Sequence, residues 1–249
     1  MNRVLTRILA VIAVVGFVAA PRAQAGRPFE TTDTGTADRG AFELELGTEY
    51  AGGDVVDKEF AAGAVLTYGL LENMEVAVAT GGVLYSVDEG DHTEGWGDSC
   101  LECKWRIAGS GETVCSAALK AALSLPTGDA SEGFGSDEYD GSGGVAVTFC
   151  LPGEAAFNVN AIYNALQTRD DTAKLSAEIE GEVADGVLVG TEFVTEQSVR
   201  GNRDDESSRA TVGTAIDLRE DLTLDLGLRI GLDNRTPEIM AVAGCKIVF

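Results

Sequence analysis

One histidine, His92, stands among the 249 residues, and that scarcity excludes more than any motif in the chain. Nucleophilic catalysis of the Ser–His or Cys–His kind needs a base held within hydrogen-bond reach of the nucleophile. A single histidine in an acidic loop leaves little room for such a pair. Phosphate-cradling glycine loops and dinucleotide fingerprints are absent as well. The reading is of a protein that is not an enzyme, with no catalytic residues and no cofactor. Zinc lacks its ligands too: Cys100 and Cys103 form C-x-x-C, but within a strand, where they point to opposite faces. Basic residues are few, 18 against 41 acidic ones, for a net charge of −23. A chain so acidic repels phosphates, which excludes nucleic acid as a partner. Aromatic residues make up only 6%. Beyond residue 26, charges or glycines interrupt every apolar run, so no segment reads as a membrane-spanning helix. If this chain enters a membrane, it must do so as a closed barrel.

The first twenty-five residues have the make-up of a secretory leader. Arg3 and Arg7 give a basic start, Ile8–Ala20 is apolar, and Ala23-Gln24-Ala25 is a small-residue cleavage site. Loss of Arg3, Arg7 and Arg22 with the leader takes the net charge to −26. Five cysteines are an odd number for an exported protein, so at least one thiol stays free or pairs with another chain. Cys103 and Cys115 flank a turn and are read either as a pair or as two small buried hydrophobes.

What is present in abundance is alternation. In Leu222–Leu232 (LTLDLGLRIGL) leucine or isoleucine occupies every second position, which puts all six on one face of an extended strand. Eleven residues span roughly 37 Å, about twice the usual strand length in soluble proteins. The same pattern recurs at Phe42–Tyr50, Phe60–Leu70, Met74–Tyr85, Ser99–Ala108, Thr113–Leu125 and Gly141–Leu151. It continues through Ala155–Leu166, Thr172–Gly181, Val187–Glu196, Ser208–Leu218 and Glu238–Phe249. About twelve strands result. Their odd-numbered connections are the longer, mostly acidic loops, Ser86–Asp98 and Pro126–Asp140 among them, and their even-numbered ones are short turns. Short turns at one end and long loops at the other are the arrangement of outer-membrane barrels. An exported soluble sandwich shows the same alternation, but has no reason to gather its long loops at one end.

The expected fold is therefore all-β: a closed antiparallel transmembrane barrel of about twelve strands with short periplasmic turns and long acidic external loops. Residues 1–25 form the signal peptide, 26–40 a periplasmic N-terminal segment and 41–249 the barrel. The apolar faces would meet outer-membrane lipid, with Tyr50, Phe60, Tyr68, Trp105, Tyr163, Phe193 and Phe249 near strand ends as its aromatic girdle. The opposite faces would enclose the lumen. Candidate lumen residues in the first half are Glu43, Glu45, Glu49, Glu75, Glu102, Lys104, Arg106 and Lys120. Those in the second half are Lys174, Glu178, Glu180, Glu192, Asp225, Arg229 and Lys246. Glu102, Lys104 and Arg106 beside Lys120 are the densest basic cluster and the best candidate for a selectivity patch. Mixed signs on one face also suit cross-strand ion pairs that fill the interior instead of lining a path. Asp88, Glu89, Asp91 and Glu94, with Asp137, Glu138 and Asp140, are oxygen donors of the kind divalent cations take. No EF-hand spacing joins them, so solvated loop charge is the plainer account and no metal site is assigned.

Several stretches resemble a family of bacterial outer-membrane proteins named for the meta-cleavage pathway of phenol degradation. Arg27-Pro28-Phe29, Thr32-Asp33-Thr34-Gly35-Thr36 and Gly40-Ala41-Phe42-Glu43-Leu44-Glu45 resemble its start. Gly97-Asp98 leading to Lys104-Trp105-Arg106 is similar to its fourth strand, and Leu125-Pro126-Thr127-Gly128-Asp129 with GFGSDEYD (133–140) to its mid-chain loop. Asp221-Leu222-Thr223-Leu224-Asp225 and the last strand resemble its end. The resemblance implies an outer-membrane barrel that passes small, often aromatic or hydrophobic, molecules, and brings no catalytic residues. The five cysteines and the low aromatic content depart from the family pattern.

These lines converge on an outer-membrane barrel, in a Gram-negative bacterium after leader removal, that gives small-molecule solutes passive passage. The alternative is a structural or adhesive barrel with a closed polar interior and cation-binding acidic loops.

Overall fold

The structure is a computed structural model that describes residues 28–53, 58–88, 91–110, 113–132, 134–200 and 206–249. The expected leader, 1–25, lies outside the described residues. Thirteen strand segments form one antiparallel sheet: β1 (Phe42–Gly52), β2 (Lys58–Leu71), β3 (Met74–Asp88), β4 (Asp91–Trp96), β5 (Ser99–Ala108), β6 (Cys115–Leu125) and β7 (Asp140–Leu151), then β8 (Ala155–Ala165), β9 (Thr172–Ala184), β10 (Val187–Ser198), β11 (Ser207–Arg219), β12 (Leu222–Gly231) and β13 (Ile239–Val248). Each strand pairs with the next, except that β5 joins β3 and not β4, and β1 pairs with β13, so the sheet closes on itself. Closure leaves the ring of long strands without an open edge, as a wall in hydrocarbon requires.

The count exceeds the expected twelve because one stave is broken. β3 pairs with β5 over Met74–Ala79 and with β4 beyond Gly82, and Gly97-Asp98 interrupts the partner stave between them. Twelve staves therefore surround the axis. The break also corrects the expectation of a loop over Ser86–Asp98: most of that stretch is the hairpin β3–β4, with His92 opposite Val87. Polar residues at this hairpin hid strand pairing that needs no buried face.

The alternation has the orientation expected of a membrane wall. Leu226, Leu228 and Ile230 point outward, exposed by 45–53%, while Asp225 and Arg229 between them are buried at 3% and 7%. Exposed apolar side chains of this kind recur on every long strand. In water such a surface is far larger than a monomer tolerates; in lipid it is the solvated face. Ten residues of β12 span about 34 Å, which at a tilt of 45° crosses the apolar band of an outer membrane. Aromatic pairs gather at the short-turn end, where Phe42 meets Tyr68 and Phe249 at centroid distances of 4.7 and 5.9 Å, and Phe149 meets Phe157 at 6.3 Å.

Among the described residues, which include all five cysteines, no disulfide forms. Register explains why Cys103 and Cys115 do not pair. Cys103 lies opposite Ala121, six residues along β6 from Cys115, or roughly 20 Å at strand rise. A disulfide needs Cα atoms within about 7 Å.

Candidate functional site

Residues 28–37 run inside the barrel. For these residues this corrects the expected placement of 26–40 as a segment on the periplasmic side: Phe29, Glu30, Thr31, Thr34 and Ala37 are each at most 7% exposed. The sequence PFETTDTGTA has no apolar periodicity and reads as a solvated loop. Its backbone and hydroxyl groups find their partners instead on the inward faces of the strands.

At one end, Pro28 and Phe29 sit on a bed of glycines. A Cβ at Gly213 or Gly227 would lie 2.7 or 2.8 Å from Pro28, and one at Gly190 would lie 2.9 Å from the Phe29 ring. Glycine at these inward positions of β10, β11 and β12 is what lets the segment approach the wall. Glu30 comes next and meets three cations. Arg209 engages it through both Nε and Nη2, Lys174 Nζ is at 2.8 Å and Arg229 Nη1 at 3.6 Å. Bidentate guanidinium–carboxylate pairing is among the stronger side-chain interactions, and here it is excluded from water. Arg229 also holds Glu49 at 2.7 Å and donates to the Pro28 carbonyl.

The segment then crosses the lumen. Thr31 donates its amide and its hydroxyl to Glu192, whose other oxygen takes Thr211. Thr32 and Asn160 bond reciprocally, the Thr32 amide to Oδ1 at 3.1 Å and Nδ2 to the Thr32 carbonyl at 2.8 Å. Lys120 Nζ donates to the Thr32 hydroxyl at 2.9 Å. Thr34 reaches Thr148 and Ser116 on the far wall, beside the small inward residues Ala118 and Ala146. The Ala37 amide donates to Glu75 at 2.7 Å, and Gly40 joins Gly69 before β1 begins. A stretch of ten residues thus ties β3 to β12 across the interior.

The candidate lumen residues can now be placed. Glu43 and Lys246 face each other at 4.0 Å, and Glu45 is the register partner of Lys246. Glu178 and Glu180 share Asn158 as donor, and Glu178, Glu192 and Asp225 are each 3% exposed. Glu102 is half-buried on the inward face of β5. The expected basic patch does not form as one cluster. Lys104 and Lys120 are cross-strand partners, but Lys104 is paired with Glu75 at 3.0 Å and approaches Asp33 at 4.0 Å, while Lys120 holds Thr32. Arg106 sits at the short-turn mouth and donates to the Glu72 carbonyl at 2.9 Å, away from both lysines. Its place at the strand end, where the neighbouring turn exposes a carbonyl, removes it from the patch.

Two residues central to this arrangement were absent from the sequence-based candidates. Arg209 alternates with Ser207, Thr211 and Gly213 on β11, and the same inside–outside parity identifies it. Glu30 carries no such signal, because it belongs to no strand. Among the described residues, no group of three or more Asp, Glu, His or Cys side chains is placed to hold a metal ion.

The fold is that of known outer-membrane channels. The COG4313 outer membrane channel from Pseudomonas putida F1 superposes with a TM-score of 0.71 at 15% identity, over 89% of this chain and all of that one. The KdgM porin, solved in complex with disordered oligogalacturonate, gives 0.59 at 6% identity over 84% of this chain and 99% of its own. The NanC porin gives 0.59 at 8% identity over 82% and 98%. No curated protein matches the chain. The sequence between residues 25 and 245 matches the family described as "Putative MetA-pathway of phenol degradation", and the chain, a closed antiparallel β-barrel with the fold of those channels and porins, belongs to that family.

Proposed function

We propose that this protein is a passive channel for small molecules in the outer membrane of a Gram-negative bacterium, reached after loss of its leader, and that its resting state is closed. The observation that carries this reading is residues 28–37 lodged in a polar lumen inside a sealed wall. The hydrogen bonds to that segment come mainly from side chains, which can exchange for water or solute, and no barrel strand needs to unpair for it to move. Passage down a gradient needs no catalyst and no cofactor. The family's description and the apolar ring held at Gly190 favour aromatic or hydrophobic solutes. A second reading, a structural or adhesive barrel with a permanently filled interior, draws on the same density of bonds to the segment.

Liposome swelling and planar-bilayer conductance separate the two. The full-length protein should pass little, and a variant with residues 28–37 replaced by a Gly/Ser segment of equal length should pass sugars and small acids readily. If that variant folds, as shown by heat-modifiable gel mobility, and remains impermeable, the channel reading fails and the structural one stands.

A further inference from the structure

The tip of the internal segment has the chemistry of a ligand. Phe29 places a ring against Gly190, and the adjacent Glu30 places a carboxylate in the Arg209 fork with Lys174 at 2.8 Å. Ring and acid are recognised side by side on the inner wall of β9–β12. We infer that this wall is a binding site for aromatic carboxylates, and that Phe29 and Glu30 occupy it as an internal stand-in which an incoming aryl carboxylate displaces. The inference rests on the channel reading above and names its solute.

Charge accounting around the site supports an acid as the exchanging group. Arg209 spends Nη1 on Ser207, and its ion-pair partner is Glu30. Glu192 and Glu196 act on Arg209 through space; Thr31 leaves with the segment, but Thr211 still holds the first, and Thr172 and Asn164 hold the second. Arg229 retains Glu49 when Glu30 leaves. Withdrawal of the segment therefore strips the Arg209 fork and Lys174 of their paired carboxylate. A buried guanidinium without a partner is strongly disfavoured. Acetate restores the charge and leaves the glycine bed empty; a neutral arene fills the bed and leaves the fork bare. Only a molecule with both halves replaces what Phe29 and Glu30 supply, and a ligand shifts this equilibrium only by its preference for the vacated state.

The test uses the full-length protein in detergent, titrated with 4-fluorobenzoate and with 4-fluorobenzyl alcohol by fluorine NMR. Glu30→Gln removes the competing charge and keeps the site, so 4-fluorobenzoate should bind about tenfold tighter, as the fraction of competent protein rises. Arg209→Gln removes the site and should weaken it by about tenfold or more. Arg209→Lys, with charge but no fork, should fall between. The alcohol should change little in any of them. A pair that merely held the barrel together would move the Glu30 and Arg209 variants the same way. That outcome, or equal binding of acid and alcohol by Glu30→Gln, overturns the inference. Should Arg209→Gln not fold, Glu30→Gln carries the test alone. Opposite shifts in a barrel that never conducts support the site and sink the channel; conduction without preference for the acid does the reverse.

Discussion

Gly227 is where the docked segment is most open to a single-atom test. An added Cβ there would lie 2.8 Å from Pro28 Cβ, and the next nearest atoms, Pro28 Cα and the Val212 carbonyl oxygen, are both at an ordinary 3.6 Å. Carbon atoms rest at about 3.5–4.0 Å, so Gly227→Ala overlaps Pro28 by roughly 0.7–1.2 Å and touches little else. The strain falls on the docked state and not on the wall. Overpacking by one methyl costs about 1–3 kcal/mol, which multiplies the displaced population by roughly 5- to 150-fold. Breaking the buried Glu30 pairing costs more, about 3–5 kcal/mol, so the single variant should open often and briefly without staying open. Gly227→Ala combined with Glu30→Ala removes both restraints and should conduct persistently. Single-channel recording in planar bilayers measures this, with heat-modifiable mobility confirming that both barrels fold. Identical closed behaviour in the parent, the single and the double variant would refute the reasoning that Pro28 and Glu30 hold the segment in place.

Three further outcomes follow from the geometry. Leu226→Arg puts a charge on the outer wall and should destabilise the barrel by about 2–4 kcal/mol in urea titrations from vesicles if that position lies near mid-membrane; an unchanged midpoint would remove Leu226 from lipid. In the β12–β13 loop, partial burial alone would raise the Asp233 carboxyl, but the amides of Arg235, Thr236 and Ser208 outweigh it and hold it below the ordinary value of about 3.9. The bonds of this lowered group are therefore fully present above that ordinary value and are lost as pH falls through the lower native one. Hydrogen-exchange protection of those amides should fall on acidification in the parent and be independent of pH in Asp233→Asn; a parent profile flat down to pH ~2 would contradict it. Alkylation of the denatured, unreduced protein should add five groups, one per cysteine, and a product carrying three would mean a disulfide has formed.

Inside and outside were legible residue by residue. Strand parity is a local property: once Leu222, Leu224, Leu226 and Leu228 share a face, Asp225, Gly227 and Arg229 must share the other, whatever the neighbouring strands do. The inward placement of Glu43, Glu75, Lys104, Lys120, Lys174, Glu178, Glu192 and Lys246 follows from that rule alone. Which inward residues meet is not local. Lys104 turned to Glu75 instead of joining Arg106 because the register between β3 and β5, and the position of the turn at Glu72, set the neighbours. Residues 28–37 lie at the limit of this kind of reasoning. Their threonines and their single glutamate bond equally well to water or to a wall. Only closure of the sheet, which brings Arg209, Glu192, Asn160 and Ser116 around one cavity from strands distant in sequence, makes the wall the better partner.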